Sequence, residues 1–151
     1  MPHLRRNTLP QEMNEIHMSF GFVVLAVIAV RLVFRIKDGA PADEPSLPGW
    51  QRTASHLLHW ALYGLIIIFI LTGWTFVSAR GWPITFFGLF PIPPLVPAGW
   101  PPGRAIGEIH GLLVWPVLAL IGAHVAAALW HHFIARDNVL LRMLPGQLKR
   151  R

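Results

Sequence analysis

The sequence lacks cysteine and is poor in charge. None of its 151 residues is Cys, which excludes a disulfide framework, a thiolate metal site and a cysteine-bound iron–sulfur cluster on this chain. Only 13% of the residues are charged, about half of the roughly 25% that is typical of a soluble domain. Any redox or metal chemistry must therefore use histidine, of which there are eight.

Hydrophobic residues are abundant, at 54% of the chain with a mean hydropathy of +0.49. Three apolar stretches cover residues 16–35, 54–78 and 106–135, and about 20 residues suffice to cross roughly 30 Å of hydrocarbon. The first stretch is too long for a signal peptide and lacks a small-residue cleavage site after it. The sequence predicts an all-α membrane protein with three transmembrane helices in a single domain, residues 1–151.

The remaining composition supports this interpretation. Residues 80–104 contain seven prolines, which exclude helix through most of that segment. Residues 37–53 are polar and rich in proline, as in an extended loop. Pro116, inside the third stretch, is predicted to kink that helix and not to end it. The net charge of +6 predicts contact with an anionic membrane face, because a chain this apolar is a poor candidate for binding nucleic acid.

Lys and Arg are unevenly distributed between the two ends of the predicted helices. Nine lie at the end that carries the C-terminus and four at the opposite end. Cytoplasmic loops carry an excess of Lys and Arg, so we expect the C-terminus in the cytoplasm. The N-terminal tail, with Arg5 and Arg6, then lies outside, which leads to the hypothesis that one more helix precedes this sequence.

Two histidines of the third stretch share one helix face. His110 and His124 are fourteen residues apart, which separates them by about 21 Å along a helix and about 40° around it. One metal ion cannot use both, whereas two stacked haems can each take one imidazole from this helix. His17 is expected at the depth of His110, so these two are candidate ligands of one haem. Three unrelated buried histidines are the structural alternative.

Other candidate site residues have weaker signals. His56 and His59 are three residues apart and so on one helix face, but a metal site needs a third ligand. Haem-edge packing or a quinone contact is favoured for them. Gly21, four residues after His17, leaves room for a flat porphyrin, although small residues are also common in membrane helix packing. Arg52 is a candidate partner for a haem propionate.

Further basic residues also have an ordinary structural interpretation. His131 and His132 lie beside Arg136, where interfacial histidines are ordinary. Arginines at both ends can pair with propionates, but holding the membrane orientation is their commoner use. These are Arg31, Arg35, Arg80 and Arg104.

Four segments together resemble the bacterial cytochrome b561 family of di-haem membrane proteins over residues 14–145. They are NEIHMSFGFVVLAVIAVRLVFR, SHLLHWALYGLIIIFILTGW, FFGLFPIPPLV and GEIHGLLVWPVLALIGAHVAAALWHHFIARDNVLLRMLP. The resemblance implies four helices that hold two b haems and exchange electrons with quinone. It also implies that His17 and His110 ligate the haem nearer the periplasm and that His124 ligates the other.

The sequence departs from the family at its start. The first helix, which supplies the partner of His124, is absent, and residues 1–16 resemble the loop that follows it. We therefore expect an incomplete four-helix haem-binding bundle with one complete heme b site and a half-formed second site. His56 and His59 are not expected to replace the missing ligand.

The resemblance implies electron transfer in the bacterial inner membrane, with ubiquinone as a candidate partner. Superoxide-to-quinone electron transfer is one alternative, which leaves the enzyme assignment open. An anchor subunit of a dehydrogenase or hydrogenase is another, and a partner subunit or a homo-oligomer would fit it. Outside redox chemistry, the histidines would be proton relays of a transporter.

Overall fold

Three long helices make up most of the structure, a computed structural model that describes residues 11–39, 45 and 47–137. They are α1 (Gln11–Lys37), α2 (Gly49–Ala79) and α3 (Gly103–Trp130), and a π-helical turn (His131–Ala135) extends α3. All three are long and apolar enough to cross a membrane. The predicted all-α membrane architecture and its three spans are confirmed. The basic residues of 1–10 and 138–151, which entered the orientation argument, lie outside the described residues.

The helix surfaces are apolar and exposed. Trp115, Leu112 and Leu118 of α3, for example, are 72%, 69% and 55% exposed. In a membrane such side chains face lipid, so exposure there carries no hydrophobic penalty. Pro116 lies among them, and α3 continues past it for fourteen residues, as predicted.

The central helix is α2, which packs against both α1 and α3. Within the described part of the chain, no Cα atom of α1 lies within 8 Å of one in α3. Space is therefore left between α1 and α3 along the face of α2. The candidate site residues His17, Gly21 and His110 border this space.

Two glycines of α3 allow its close approach to α2. A methyl group at Gly103 would overlap the Ala79 side chain, and one at Gly107 would overlap the Phe76 ring. Four residues apart, they lie on one face of α3. Such small-xxx-small spacing is a common feature of membrane helix pairs.

We expect Gly107→Ala to destabilise the fold by about 1–3 kcal/mol, since it overpacks the interface with Phe76. Gly122→Ala on the same helix is the matched control, because nothing lies within 4 Å of its added methyl group and Ala favours helix more than Gly. Thermal unfolding in detergent, followed by circular dichroism, measures the difference. Equal midpoints for the two variants would contradict this account of the interface.

The segment between α2 and α3 is non-helical, as its prolines predict, but it contains a short hairpin that was not predicted. Strand β1 (Thr85–Phe86) pairs antiparallel with β2 (Phe90–Pro91). The reversal uses left-handed backbone at Phe87 and Gly88, with φ of 48° and 70°. The side chain of Ile84 beside the hairpin is only 5% exposed, so the segment folds back onto the helices.

Candidate functional site

His17 and His110 face each other across a cavity of about 310 Å³. α1 contributes His17 and Gly21 to its lining, α2 contributes Gly73, and α3 contributes His110. The two imidazole ring centres are 6.3 Å apart and the ring planes are nearly perpendicular, at 82°. The structure thus brings together the two histidines that the depth argument paired. We call this space the His17–His110 cavity.

This separation fits two ligands of one metal ion. A ring nitrogen at about 2.0 Å from a metal lies about 1.15 Å from its own ring centre, so two imidazoles on opposite sides of one ion have centres about 6.3 Å apart. The observed distance between His17 and His110 is 6.3 Å. The distance between the two ring centres is therefore compatible with two imidazole ligands of one metal ion.

The orientation of His110 is determined by α2. Its Nδ1–H donates to the carbonyl oxygen of Phe69 at 2.8 Å, and its ring stacks on the Phe69 ring at 4.2 Å and 5°. Thr72 Oγ1 donates to the same carbonyl at 2.7 Å. A proton on Nδ1 leaves Nε2 with its lone pair. A backbone carbonyl that binds the distal nitrogen in this way is the usual support of a metal-ligating histidine.

Two glycines keep the cavity open. A Cβ atom at Gly73 would lie 2.8 Å from Cε1 of His110, so this ring position requires glycine at 73. Among the described residues, nothing lies within 4 Å of a Cβ atom built on Gly21, which leaves open space beside His17, as the porphyrin hypothesis needs. Sequence reasoning identified Gly21 and missed Gly73. The signal that could have identified Gly73 is that it is an isolated glycine in an apolar helix, because such a glycine often allows close packing.

A second cavity, of about 540 Å³, lies near the other end of α3 and is lined by His59, His124 and His131. We call it the His59–His124 cavity. The ring centres of His59 and His124 are 5.3 Å apart at 69°, which is 1.0 Å less than for His17 and His110. These two rings contact each other edge to face and leave too little room for a metal ion in line between them.

His131 has a specific partner. Its Nδ1–H donates to Oδ2 of Asp137 at 2.6 Å, and the two side chains are only 14% and 13% exposed. The π-helical turn and the left-handed backbone of Arg136, with φ of 50°, bring Asp137 back toward His131. His132 is exposed instead. The two interfacial histidines are thus in different environments.

His56 and His59 contact different helices although they are three residues apart. Arg35 of α1 donates through Nη2 to Nδ1 of His56 at 3.2 Å, while His59 contacts His124 of α3. The two rings therefore do not converge on one point, as an HxxH metal site would require.

Two arginines at this end of the bundle bind protein groups. Arg31 donates through Nε to the Tyr63 hydroxyl at 3.0 Å, which joins α1 to α2. Arg52 donates through Nε to the Leu47 carbonyl at 3.0 Å and so stabilises the start of α2. In the described chain, Arg52 is not among the residues that line either cavity.

The arginines at the opposite end differ from each other. The guanidinium of Arg80 lies 5.5 Å from the ring centres of both Phe76 and Trp82, which are cavity-lining residues beside His17 and His110. Arg104 pairs with Glu108 at 3.2 Å, with the side chains 92% and 66% exposed. Such a pair contributes little to stability. Arg80 thus places a positive charge against two residues that line the His17–His110 cavity.

Comparisons with known proteins agree with one another. A family model described as prokaryotic cytochrome b561 matches residues 2–146. Cytochrome b561 homolog 2 of Escherichia coli (strain K12) is 33% identical over 130 residues, which are 86% of this chain and 69% of the relative. Cytochrome b561 homolog 1 of the same strain is 34% identical over 133 residues, 88% of this chain and 75% of the relative. A probable superoxide oxidase CybB of Yersinia pestis is 31% identical over the same shares.

Proposed function

Because the chain belongs to the prokaryotic cytochrome b561 family, we propose that it transfers electrons through a bis-histidine haem b and exchanges them with a quinone such as ubiquinone. Family membership makes it a membrane b-type cytochrome of electron transfer. The bis-histidine assignment depends on one observation, the 6.3 Å between the ring centres of His17 and His110. The open space beside Gly21 supports the same assignment.

The residues of the His17–His110 cavity would hold the haem between α1 and α3. A bound haem would supply one-electron chemistry at its iron, and His17 and His110 would be the residues that hold it. The Phe69 carbonyl holds His110 in one tautomer and increases its basicity as a ligand. The apolar lining excludes water, which is one of the factors that determine a haem potential.

The second site is proposed to be half-formed. His124 lies too close to His59 for the two to flank one ion, and α1 supplies no histidine at that depth in the described residues. We expect the 151-residue chain to bind a haem poorly at His124. The polar groups of this cavity suit a quinone better, since a ring N–H of His59 can donate a hydrogen bond to a quinone carbonyl.

The proposed orientation places the C-terminus in the cytoplasm of a bacterium and the chain in its inner membrane. The support is the charge asymmetry between the two ends of the helices. The His17–His110 cavity then lies toward the outside and the His59–His124 cavity toward the cytoplasm. Protons for quinone reduction would come from the cytoplasmic side.

Superoxide-to-quinone electron transfer is a second candidate. One relative is named a probable superoxide oxidase, and Arg80 borders the His17–His110 cavity with its positive charge. A cation beside an apolar cavity raises the local concentration of an anionic reductant.

An anchor role for a dehydrogenase or hydrogenase is the third candidate function. A stable second subunit that co-purifies with the chain would favour it.

Haem stoichiometry and quinol reactivity test the proposal. We expect the purified 151-residue chain to contain about one haem per chain by pyridine haemochrome assay, since one site has both ligands. A short-chain ubiquinol analogue is expected to reduce it, with a b-type band in the reduced-minus-oxidised spectrum. Two haems per chain would contradict the half-formed site. Absence of a b-type band would contradict the cytochrome function, and an unreactive quinol would contradict the quinone partner.

A further inference from the structure

The hairpin between α2 and α3 contacts α1 on the side away from His17. We propose that this contact sets the rotation of α1 about its own axis and thereby directs His17 toward His110, with Ser19 as the positioning residue. The inference deepens the proposed function, because it assigns a role toward the haem to residues outside the cavity. Its geometry stands independently of that function.

Ser19 and Glu15 form the contact on α1. Ser19 is fully buried, at 0% exposure, and its Oγ accepts a hydrogen bond from the N–H of Phe87 at 2.8 Å. The same hydroxyl donates to the Glu15 carbonyl at 2.8 Å. Oε1 of Glu15 accepts a hydrogen bond from Thr85 Oγ1. Two side chains one turn apart therefore bind both the first strand and the turn of the hairpin.

The contact and the histidine lie on opposite faces of α1. Glu15 and Ser19 are four residues apart and share a face. His17 is two residues from each, which is about 200° around the helix. A shift of α1 by one residue, about 100° of rotation, would break both hydrogen bonds and turn His17 away from the cavity. The hairpin thus constrains the direction of His17 through Ser19 and Glu15.

The hairpin segment is in turn attached to α2. The N–H of Leu95 donates to Oγ of Ser78 at 3.0 Å, and Ser78 is 2% exposed. Trp74 donates through Nε1 to the Pro93 carbonyl at 3.2 Å. The same helix orients His110 through the Phe69 carbonyl. Both histidines are therefore positioned relative to α2, His110 directly and His17 through the hairpin.

The turn carries backbone strain at the residue that donates to Ser19. Phe87 has φ of 48°, and left-handed backbone is unfavourable for a residue with a side chain. Such a conformation persists where surrounding contacts determine it. Here the contacts are the Ser19 hydrogen bond and an edge-to-face packing of the Phe87 ring on Phe20, with ring centres 5.5 Å apart.

Ser19→Ala tests the inference. Removal of the hydroxyl is expected to change the low-spin haem signal in electron paramagnetic resonance, which reports the angle between the axial rings, and to weaken haem binding about tenfold, the lower end of effects seen for outer-shell partners. Thr53→Ala is the matched control. Thr53 Oγ1 also donates to the carbonyl four residues earlier, that of Gly49, at 3.2 Å, and we expect that variant to match the parent.

A second variant and a measurement on haem-free protein distinguish failure of this inference from failure of the proposed function. Thr85→Val removes the donor to Glu15 from strand β1 and is expected to change the same signal in the same direction. In haem-free protein, Ser19→Ala is expected to speed amide hydrogen exchange of Phe87. Signals and haem affinities equal to those of Thr53→Ala in both variants would overturn the inference. A parent chain that binds no haem while exchange at Phe87 still depends on Ser19 would refute the proposed function and leave the hairpin contact established.

Discussion

His110→Ala is expected to abolish stable haem binding at the His17–His110 cavity. The variant removes one of two axial imidazoles, and loss of mere supporting partners already costs about 10- to 100-fold in metal affinity. The Phe69 carbonyl, which accepts the Nδ1–H of His110 at 2.8 Å, loses that donor as well. Titration of haemin into the haem-free chain in detergent, followed by the b-type absorption band, measures the loss.

His132→Ala is the matched control for that experiment. His132 is an exposed histidine that follows His131 in the π-helical turn. In the described chain it is not among the residues that line either cavity. We expect its haem content to equal that of the parent, and His17→Ala to behave like His110→Ala. Full haem loading of His110→Ala would contradict the assignment of this histidine as a ligand.

Gly73→Ala is expected to have the second largest effect. The added methyl group would lie 2.8 Å from Cε1 and 3.1 Å from Nδ1 of His110, closer than non-bonded contact allows. The imidazole must then move, which breaks its hydrogen bond to the Phe69 carbonyl. The proposed ligand His110 is then displaced by a fraction of an ångström or more. We expect haem affinity to fall at least about tenfold, as for loss of an outer-shell partner.

Gly64→Ala provides the comparison on the same helix. Nothing lies within 4 Å of a methyl group at 64, so this substitution gains helix propensity without touching either histidine. Haem titration and circular dichroism on both variants separate a ligand effect from a folding effect. If Gly73→Ala bound haem like Gly64→Ala, the position of His110 would not depend on contact with α2.

The spans were predictable because the membrane imposes a length and a composition on each helix. A stretch of about 20 apolar residues has few structures available in hydrocarbon other than helix. The fourteen-residue spacing of His110 and His124 followed from helix geometry alone. The proximity of His17 and His110 followed from their expected equal depth. Each of these arguments considers a single helix and assumes that all helices cross the same thickness of membrane.

The supports of the site were not predictable in this way. The acceptor for His110 is the backbone carbonyl of Phe69, and every residue has such a carbonyl, so the sequence does not distinguish it. The hairpin was hidden among prolines, and its partner Ser19 is one serine in an apolar helix. His56 and His59 share a helix face by spacing, yet they contact different helices, because α2 packs against both α1 and α3.

The sequence by itself determined a membrane protein with three spanning helices, predicted from its lack of cysteine that any redox chemistry uses histidine, and paired His17 with His110 as candidate ligands. Hydrophobic length and helical periodicity are local properties, and these conclusions required nothing else. Tertiary structure alone decided which small residues admit the imidazole, which carbonyl orients it and how the hairpin holds α1. Those features depend on the rotation and separation of the helices, which are set by contacts between residues far apart in the chain.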